Sequence, residues 1–232
     1  MAAYDPGQAL ISLHVPKTAG TSLRLALRSW FGERLFFHYR GLQGEPPEHH
    51  TLSAGICVHG HFNRVRGIGP FDYYPKARQF IVFLRHPFSR TVSQWKYLHY
   101  QMREGGRVPE LEDHPTFETW LARRRDLAMG QTEDPFATMA QLPWNTAPGA
   151  AFDDGYVFVG VLERYDEDSR ALAKALGCPP AKVVHINRAD DEVRRGDPGS
   201  DLSAFRSFHA ASFPAEYELY EAAHAWRSKH SP

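Results

Sequence analysis

His-Val-Pro-Lys-Thr-Ala-Gly-Thr-Ser occupies residues 14–22, directly behind the alternating apolar residues Ile11, Leu13 and Val15. Alternation of this kind is a strand signal, and Pro16 removes a ladder donor where the strand should stop. The small hydroxyl residues behind Gly20 open a helix-like stretch. A strand that passes into a helix through a glycine-bearing loop presents free backbone N–H groups to an anion. The nucleotide-triphosphatase loop places Lys directly after its last Gly, as Gly-Lys-Ser/Thr. Here Lys17 comes before Gly20, so the cation enters from the strand side. That reversal points to a phosphorylated ligand of a different kind.

A second anchor lies downstream. Gln79 to Leu84 runs through Phe80, Ile81, Val82 and Phe83 without a polar break, as a central parallel strand does. Arg85 falls at its carboxyl end, and Pro87 is suited to a first helical turn. Phe88, Val92 and Trp95 repeat at helical spacing, with Ser93 about two turns in and assigned to the opposite side. An Arg offers a planar fork of donors to a phosphate, and a Ser hydroxyl adds another. Two anion sites, one at each strand-to-helix crossover, fit a nucleotide phosphorylated at both ends of its ribose.

Around these anchors the chain alternates strand and helix. Leu23, Ala26, Leu27 and Trp30 mark one helix face, closed by Gly32. Strands are expected near 9–15, over Leu35–Tyr39, near 54–59, over Tyr156–Leu162 and over Val183–Ile186. The strand near 54–59 ends in His59-Gly60-His61. Further helices are expected to about Met102, over Thr116–Arg125, up to Leu176 with Gly177 as cap, and from near Phe213, burying Phe213, Tyr217, Tyr220 and His224. Residues 41–51, 104–114 and 188–201 read as exposed loops, and 129–154 as a lid or a surface excursion. The pattern predicts an α/β fold over 1–232 as a single domain, with a central mostly parallel sheet flanked by helices on both faces. Ligands should gather at the carboxyl ends of its strands.

Composition sets the outer bounds. Apolar residues make up 42% of the 232, ample for one core, and the 27 basic and 27 acidic residues cancel. Long-range attraction to nucleic acid or to an anionic membrane is therefore not implied. Cys57 and Cys178 stand far apart, without metal-like spacing, which fits a reducing compartment. The first residues lack the basic start and apolar core of a signal peptide, and no run approaches the roughly 18 apolar residues of a membrane helix. The expectation is a soluble, cytoplasmic protein with no membrane insertion. Its oligomeric state is open.

At this point the chain resembles a known family. Pro16-Lys17-Thr18-Ala19-Gly20-Thr21-Ser22 looks like the 5′-phosphosulfate loop of sulfotransferases that use 3′-phosphoadenosine 5′-phosphosulfate (PAPS). Arg85 and Ser93 look like that family's 3′-phosphate motif, and residues 214–220 are similar to the closing helix of its carbohydrate-type members. His59-Gly60-His61 resembles the His-Gly-His of uronyl and heparan sulfate 2-O-sulfotransferases. The resemblance implies a P-loop-nucleotide-kinase-like sulfotransferase fold, PAPS as cofactor with 3′,5′-bisphosphoadenosine (PAP) as product, and no metal. It implies a hydroxyl-bearing acceptor, a carbohydrate or a small molecule. Lys17 would stabilise the departing nucleotide, and Arg85 and Ser93 would hold the 3′-phosphate. One of His59 and His61 would be the base and the other its partner, His61 being the first choice for base. Asn187 and Arg188 follow a late strand where the family closes over the nucleotide, and are further cofactor candidates.

Plainer readings stand beside these. His59 and His61 could be hydrogen-bonded core groups, His49-His50 simply loop, and Arg123 to Arg125 and Arg194-Arg195 solvated charges. Glu163 reads as a helix-start acid, and Trp95, Trp120 and Trp226 as core. Two rival functions are a P-loop nucleotide kinase or hydrolase and a non-catalytic PAP-binding module. The first predicts Gly-Lys-Ser/Thr and a strand ending in a metal-binding Asp, yet the buried strand ends in Arg85.

Overall fold

The computed structural model describes residues 3–41, 44–129, 152, 155–181 and 202–230. Five strands, β1 (Leu10–Leu13), β2 (Leu35–His38), β3 (Cys57–Gly60), β4 (Gln79–Leu84) and β5 (Tyr156–Val161), form one sheet in the order β2-β3-β1-β4-β5. Every pairing in it is parallel. Parallel strands need crossovers, and these supply helices to both faces. The expected central parallel sheet flanked by helices is thus present. The expected strand Val183–Ile186, Asn187, Arg188 and Arg194-Arg195 lie outside the described residues.

Alternation along the strands splits the core in two. Leu10, Cys57, Ile81 and Phe83 face α1 (Gly20–Phe31) and α6 (Tyr165–Ala175), meeting Leu23, Leu27, Phe31, Tyr165 and Leu172. Ile11, Leu13, Val58, Phe80 and Val82 face the other way, onto Leu219, Tyr220, Ala223 and Trp226 of α8 (Pro214–His230). Phe31 rather than Trp30 completes the buried face of α1. The Trp30 ring lies further out and its Nε1–H donates to the Pro179 carbonyl at 2.9 Å.

A third cluster joins α3 (Pro87–Arg103), α4 (Pro109–Asp113) and α5 (Phe117–Met129), with Phe88, Trp95, Leu111 and Trp120 at its centre. Residues 104–114 are therefore not wholly exposed: Val108 and Leu111 anchor the short helix α4. Arg124 is not simply a solvated charge either. It donates to the Thr91 hydroxyl at 3.1 Å, and its guanidinium lies 5.1 Å from the centre of the Trp120 ring.

The last helix departs most from expectation. Its buried residues are Glu216, Leu219, Tyr220, Ala223, Trp226 and Arg227, whereas Tyr217 and His224 are only half-buried. Two buried ion pairs set this phase. Glu216 meets Arg90 of α3 at 2.6 Å, and Arg227 meets Asp168 of α6 at 2.7 Å. The other Asp168 oxygen accepts from the Val161 amide at 2.8 Å, so the acid also caps the end of β5. Bonded at both oxygens, it offsets the cost of its own burial.

Candidate active site

The ladder places three functional loops side by side. Leu13 of β1 pairs with Gly60 of β3 on one side and with Val82 of β4 on the other. Beyond that common rung the chains run on to Lys17, His61 and Arg85. The crossover after β1 turns toward β2, while that after β4 turns toward β5, so β1 and β4 flank the sheet's switch point, where α/β proteins bind ligands. A cleft of about 1420 Å³ opens there, lined by Lys17, Gly20, Thr21, Ser22, His61, Arg85 and Ser93 among others. Small-molecule pockets commonly measure roughly 300–1,000 Å³, so the space exceeds what one small ligand needs.

Residues 16–22 form a cradle. Lys17 and Ala19 both adopt left-handed backbone, with φ of 69° and 66°. Turns of this handedness aim successive N–H groups inward, toward an anion. Ala19 sits at the N-cap of α1 and has no side-chain acceptor, so no capping side chain stands between the cleft and the start of that helix. Thr18 is buried and spends its hydroxyl on the Val15 carbonyl at 2.7 Å, which braces the loop from behind. Pro16, Ala19, Gly20, Thr21 and Ser22 line the cleft, and Thr18 does not. The Lys17 ammonium lies 4.0 Å from the centre of the Tyr97 ring, a cation–π contact that nothing in the sequence pattern announces.

Arg85 is tied to the same cradle, its Nη1 donating to the Lys17 carbonyl at 3.4 Å. Burial pulls its guanidinium below the usual value, and Glu163 acts in the opposite direction. Glu163 is more than a helix-start acid, since it accepts from the His86 amide at 2.9 Å and so holds the loop after β4. Ser93 lines the cleft along with Ser89, Lys96 and Tyr97, and Val92 borders the same space. The polar face and the apolar stripe of α3 therefore meet at Val92 rather than lying opposite each other. Around the cleft, Lys17, Arg85, Lys96, Arg164, Arg170 and Arg206 face three carboxylates, Glu163, Asp166 and Glu167. That balance suits a ligand with several negative charges.

His59 within β3 and His61 just beyond it part company. His61 lines the cleft, and its Nε2 is buried without a hydrogen-bond partner among the described residues. Burial pulls its imidazole down to about 4, so it is neutral near pH 7. His59 is 0% exposed and sits behind the cleft wall, its Nδ1 2.9 Å from the Ser12 hydroxyl. Gly60 between them is required by packing. A Cβ there would lie 2.0 Å from the His38 carbonyl oxygen, which accepts from the His61 amide at 2.9 Å. His49 and His50 stitch their loop to the carbonyls of Tyr73 and Phe37.

His14, passed over as part of the strand exit, shares the cleft with His61, the ring centres being 4.5 Å apart. Only the register could have found it, since Ser12 pairs with His59 and His14 is two residues on. Among the described residues no group of His, Cys, Asp and Glu is arranged to hold a metal ion, and no helix is long and apolar enough to cross a membrane.

A parallel sheet with a cationic, glycine-bearing loop after β1 and an arginine after the adjacent β4 defines an α/β protein with a cationic cleft at its switch point. The chain belongs to the sulfotransferase family, whose model matches residues 2–203. No curated protein sequence matches it. Among solved structures it is similar to a sulfotransferase from Alicyclobacillus acidocaldarius, at 14% identity and a TM-score of 0.46, over 97% of this chain and 99% of that one. It is also similar to mouse sulfotransferase SULT7A1 complexed with PAP, at 14% identity and a TM-score of 0.45, over 78% of this chain. The match spans 61% of the mouse chain.

Proposed function

We propose that the protein transfers a sulfuryl group from PAPS to a hydroxyl of a carbohydrate or small-molecule acceptor, with His61 as general base. The observation that carries this is the convergence of Lys17, Arg85 and His61 at three adjacent strand ends on one cleft. The donor's role would be to supply a sulfuryl group activated by its bond to the 5′-phosphate. The left-handed cradle and the Lys17 ammonium suit the 5′ end of that nucleotide, and Arg85 and Ser93 suit its 3′-phosphate.

In the reaction a bond forms between sulfur and the acceptor oxygen as the bond from sulfur to the 5′-phosphate oxygen breaks. That electron pair stays on the phosphate, where Lys17 offsets the charge. The acceptor proton goes to Nε2 of His61, whose lone pair is available because the imidazole is neutral near pH 7 and that nitrogen has no hydrogen-bond partner among the described residues. Positioning and electrostatics carry most of such a transfer. The resemblance of His59-Gly60-His61 to the motif of uronyl 2-O-sulfotransferases supports a histidine base, with a carbohydrate or a small molecule as acceptor.

The test is a PAPS-dependent assay against a pooled acceptor library, with mass detection of the added sulfuryl group, alongside PAP binding by calorimetry. Transfer by the native protein and its loss in His61→Ala, by roughly 10²–10⁴ with PAP binding retained, is the expected result. Tight PAP binding with no acceptor sulfated would instead mark a non-catalytic binding module. A larger thermal shift with magnesium ATP than with PAP would mark a kinase-like protein.

A further inference from the structure

The cleft holds a second imidazole with surroundings of its own. His14 leaves β1 with its amide donating to the Gly60 carbonyl at 2.8 Å, which fixes its backbone to β3. Its ring is stacked on His59, with centres 5.2 Å apart and planes at 14°, and tilted against His61 at 4.5 Å. Its Nδ1 lies 3.0 Å from the Tyr39 hydroxyl. Its Nε2 edge covers Gly20, the first residue of α1: a Cβ on Gly20 would fall 1.8 Å from Nε2. The glycine of the loop is therefore needed to admit this ring, quite apart from any ligand.

The neighbours keep both groups neutral, and the tautomer of His14 is set by which partner donates in its Nδ1–hydroxyl contact. Burial, reinforced by His59, His61, Arg24 and Lys17, pulls His14 well below the ordinary imidazole value, so it carries one ring proton. Burial pushes the Tyr39 phenol upward, so it keeps its own proton. A phenol that donates to Nδ1 leaves the imidazole proton on Nε2. We propose that His14 donates a hydrogen bond through Nε2–H to the anionic group seated at the N-terminus of α1, and that Tyr39 is the positioning residue that fixes this tautomer. This rests on the sulfotransferase reading.

His14 and His61 then do opposite work within 4.5 Å of each other. His61 offers a lone pair to the acceptor proton, while His14 offers a proton it does not release, beside the charge of Lys17. A neutral imidazole can stabilise developing negative charge in this way without acting as an acid. His59, held by Ser12, is the backing plate against which His14 stacks.

The test reads the tautomer directly, by long-range proton–nitrogen correlation on the native protein labelled in its imidazole nitrogens, with and without saturating PAP. The Nε2–H form of His14 is expected in both, and Tyr39→Phe should mix the two tautomers. PAPS consumption should fall about 100-fold in His14→Ala and about 10-fold in Tyr39→Phe, and PAP, which carries the charge left on the 5′-phosphate, should bind more weakly in the same order. His14→Gln, whose amide can still donate, should recover part of the loss. An Nδ1–H form in the native protein, an unmoved tautomer in Tyr39→Phe, or a His14→Gln variant no better than His14→Ala would each overturn the assignment. Those outcomes, with PAP bound and PAPS consumed by the native protein, leave the sulfotransferase reading standing. A native protein that neither binds PAP nor consumes PAPS brings down both.

Discussion

At the scale of single residues, the loop after β1 does its work in an unfavourable backbone. Left-handed conformation costs an L-residue roughly 1–2 kcal/mol, and both Lys17 and Ala19 adopt it. Lys17 cannot be relieved without loss of its ammonium, but Ala19 can. Ala19→Gly should stabilise the fold by about 1 kcal/mol, offset in part by the extra freedom of Gly in the unfolded chain. In a chain of this size that is a rise in Tm of roughly 2–4 °C by scanning calorimetry, and a fall in Tm would show that the strain is not there. Arg85 and Lys17 should divide by assay. Arg85→Ala, removing charge-assisted hydrogen bonds, should weaken PAP binding about 10–100-fold by titration calorimetry. Lys17→Ala should lower turnover by roughly 10²–10³ with a much smaller effect on PAP affinity. Equal effects of both changes on PAP affinity would remove the distinction between a binding and a transfer role.

At the scale of elements, β2 and β3 approach so closely that Gly60 has no room for a methyl group. Gly60→Ala must push the His38 carbonyl away and break the ladder bond that it accepts from the His61 amide. A cost of about 3 kcal/mol is expected, or a loss of roughly 10 °C in Tm. An unchanged Tm would mean that the two strands part without strain. The same elements show what a sequence can and cannot display. The strands and the crossovers after β1 and β4 were legible because apolar runs, Pro16, Gly20 and Pro87 act through local chemistry. The phase of α8 was not, because Glu216 and Arg227 are buried by partners 126 and 59 residues away. Charged residues look exposed until their counter-ions are known. His14 stayed hidden for a related reason: a lone imidazole has no periodicity, and only the pairing of β1 with β3 brings it to His61.

At the scale of the whole molecule, the interior is rich in neutral imidazoles. Burial pulls His38 to about 4, His59 to about 3, His61 to about 4, His209 to about 3, and His14 well down. His209 is also bonded at both nitrogens, to the Thr91 and Tyr217 hydroxyls at 2.8 and 3.1 Å. In the unfolded chain each returns to an ordinary value near 6.5. Between about pH 6.5 and 4 the unfolded state therefore binds more protons than the folded one. Stability is full above about pH 6.5 and is lost as pH falls through that window, at up to about 1.4 kcal/mol per pH unit for each such histidine. Urea midpoints should drop steeply from pH 7 to pH 5, with a proton uptake above one per molecule. A flat profile would contradict the burial of these rings.

The shared rung of Leu13, Gly60 and Val82 has a further consequence. Counted from it, His61 stands one residue on, Arg85 three and Lys17 four. The sheet thus acts as a ruler with three marked scales, clamped at a single zero. Deleting or adding one residue inside β1, β3 or β4 would slide one scale by about 3.3 Å and turn its side chains to the other face. A duplication in residues 44–52, which precede β3, leaves the zero where it is. Length changes in this protein should therefore be tolerated or fatal according to which side of a strand boundary they fall, largely regardless of which amino acid is added.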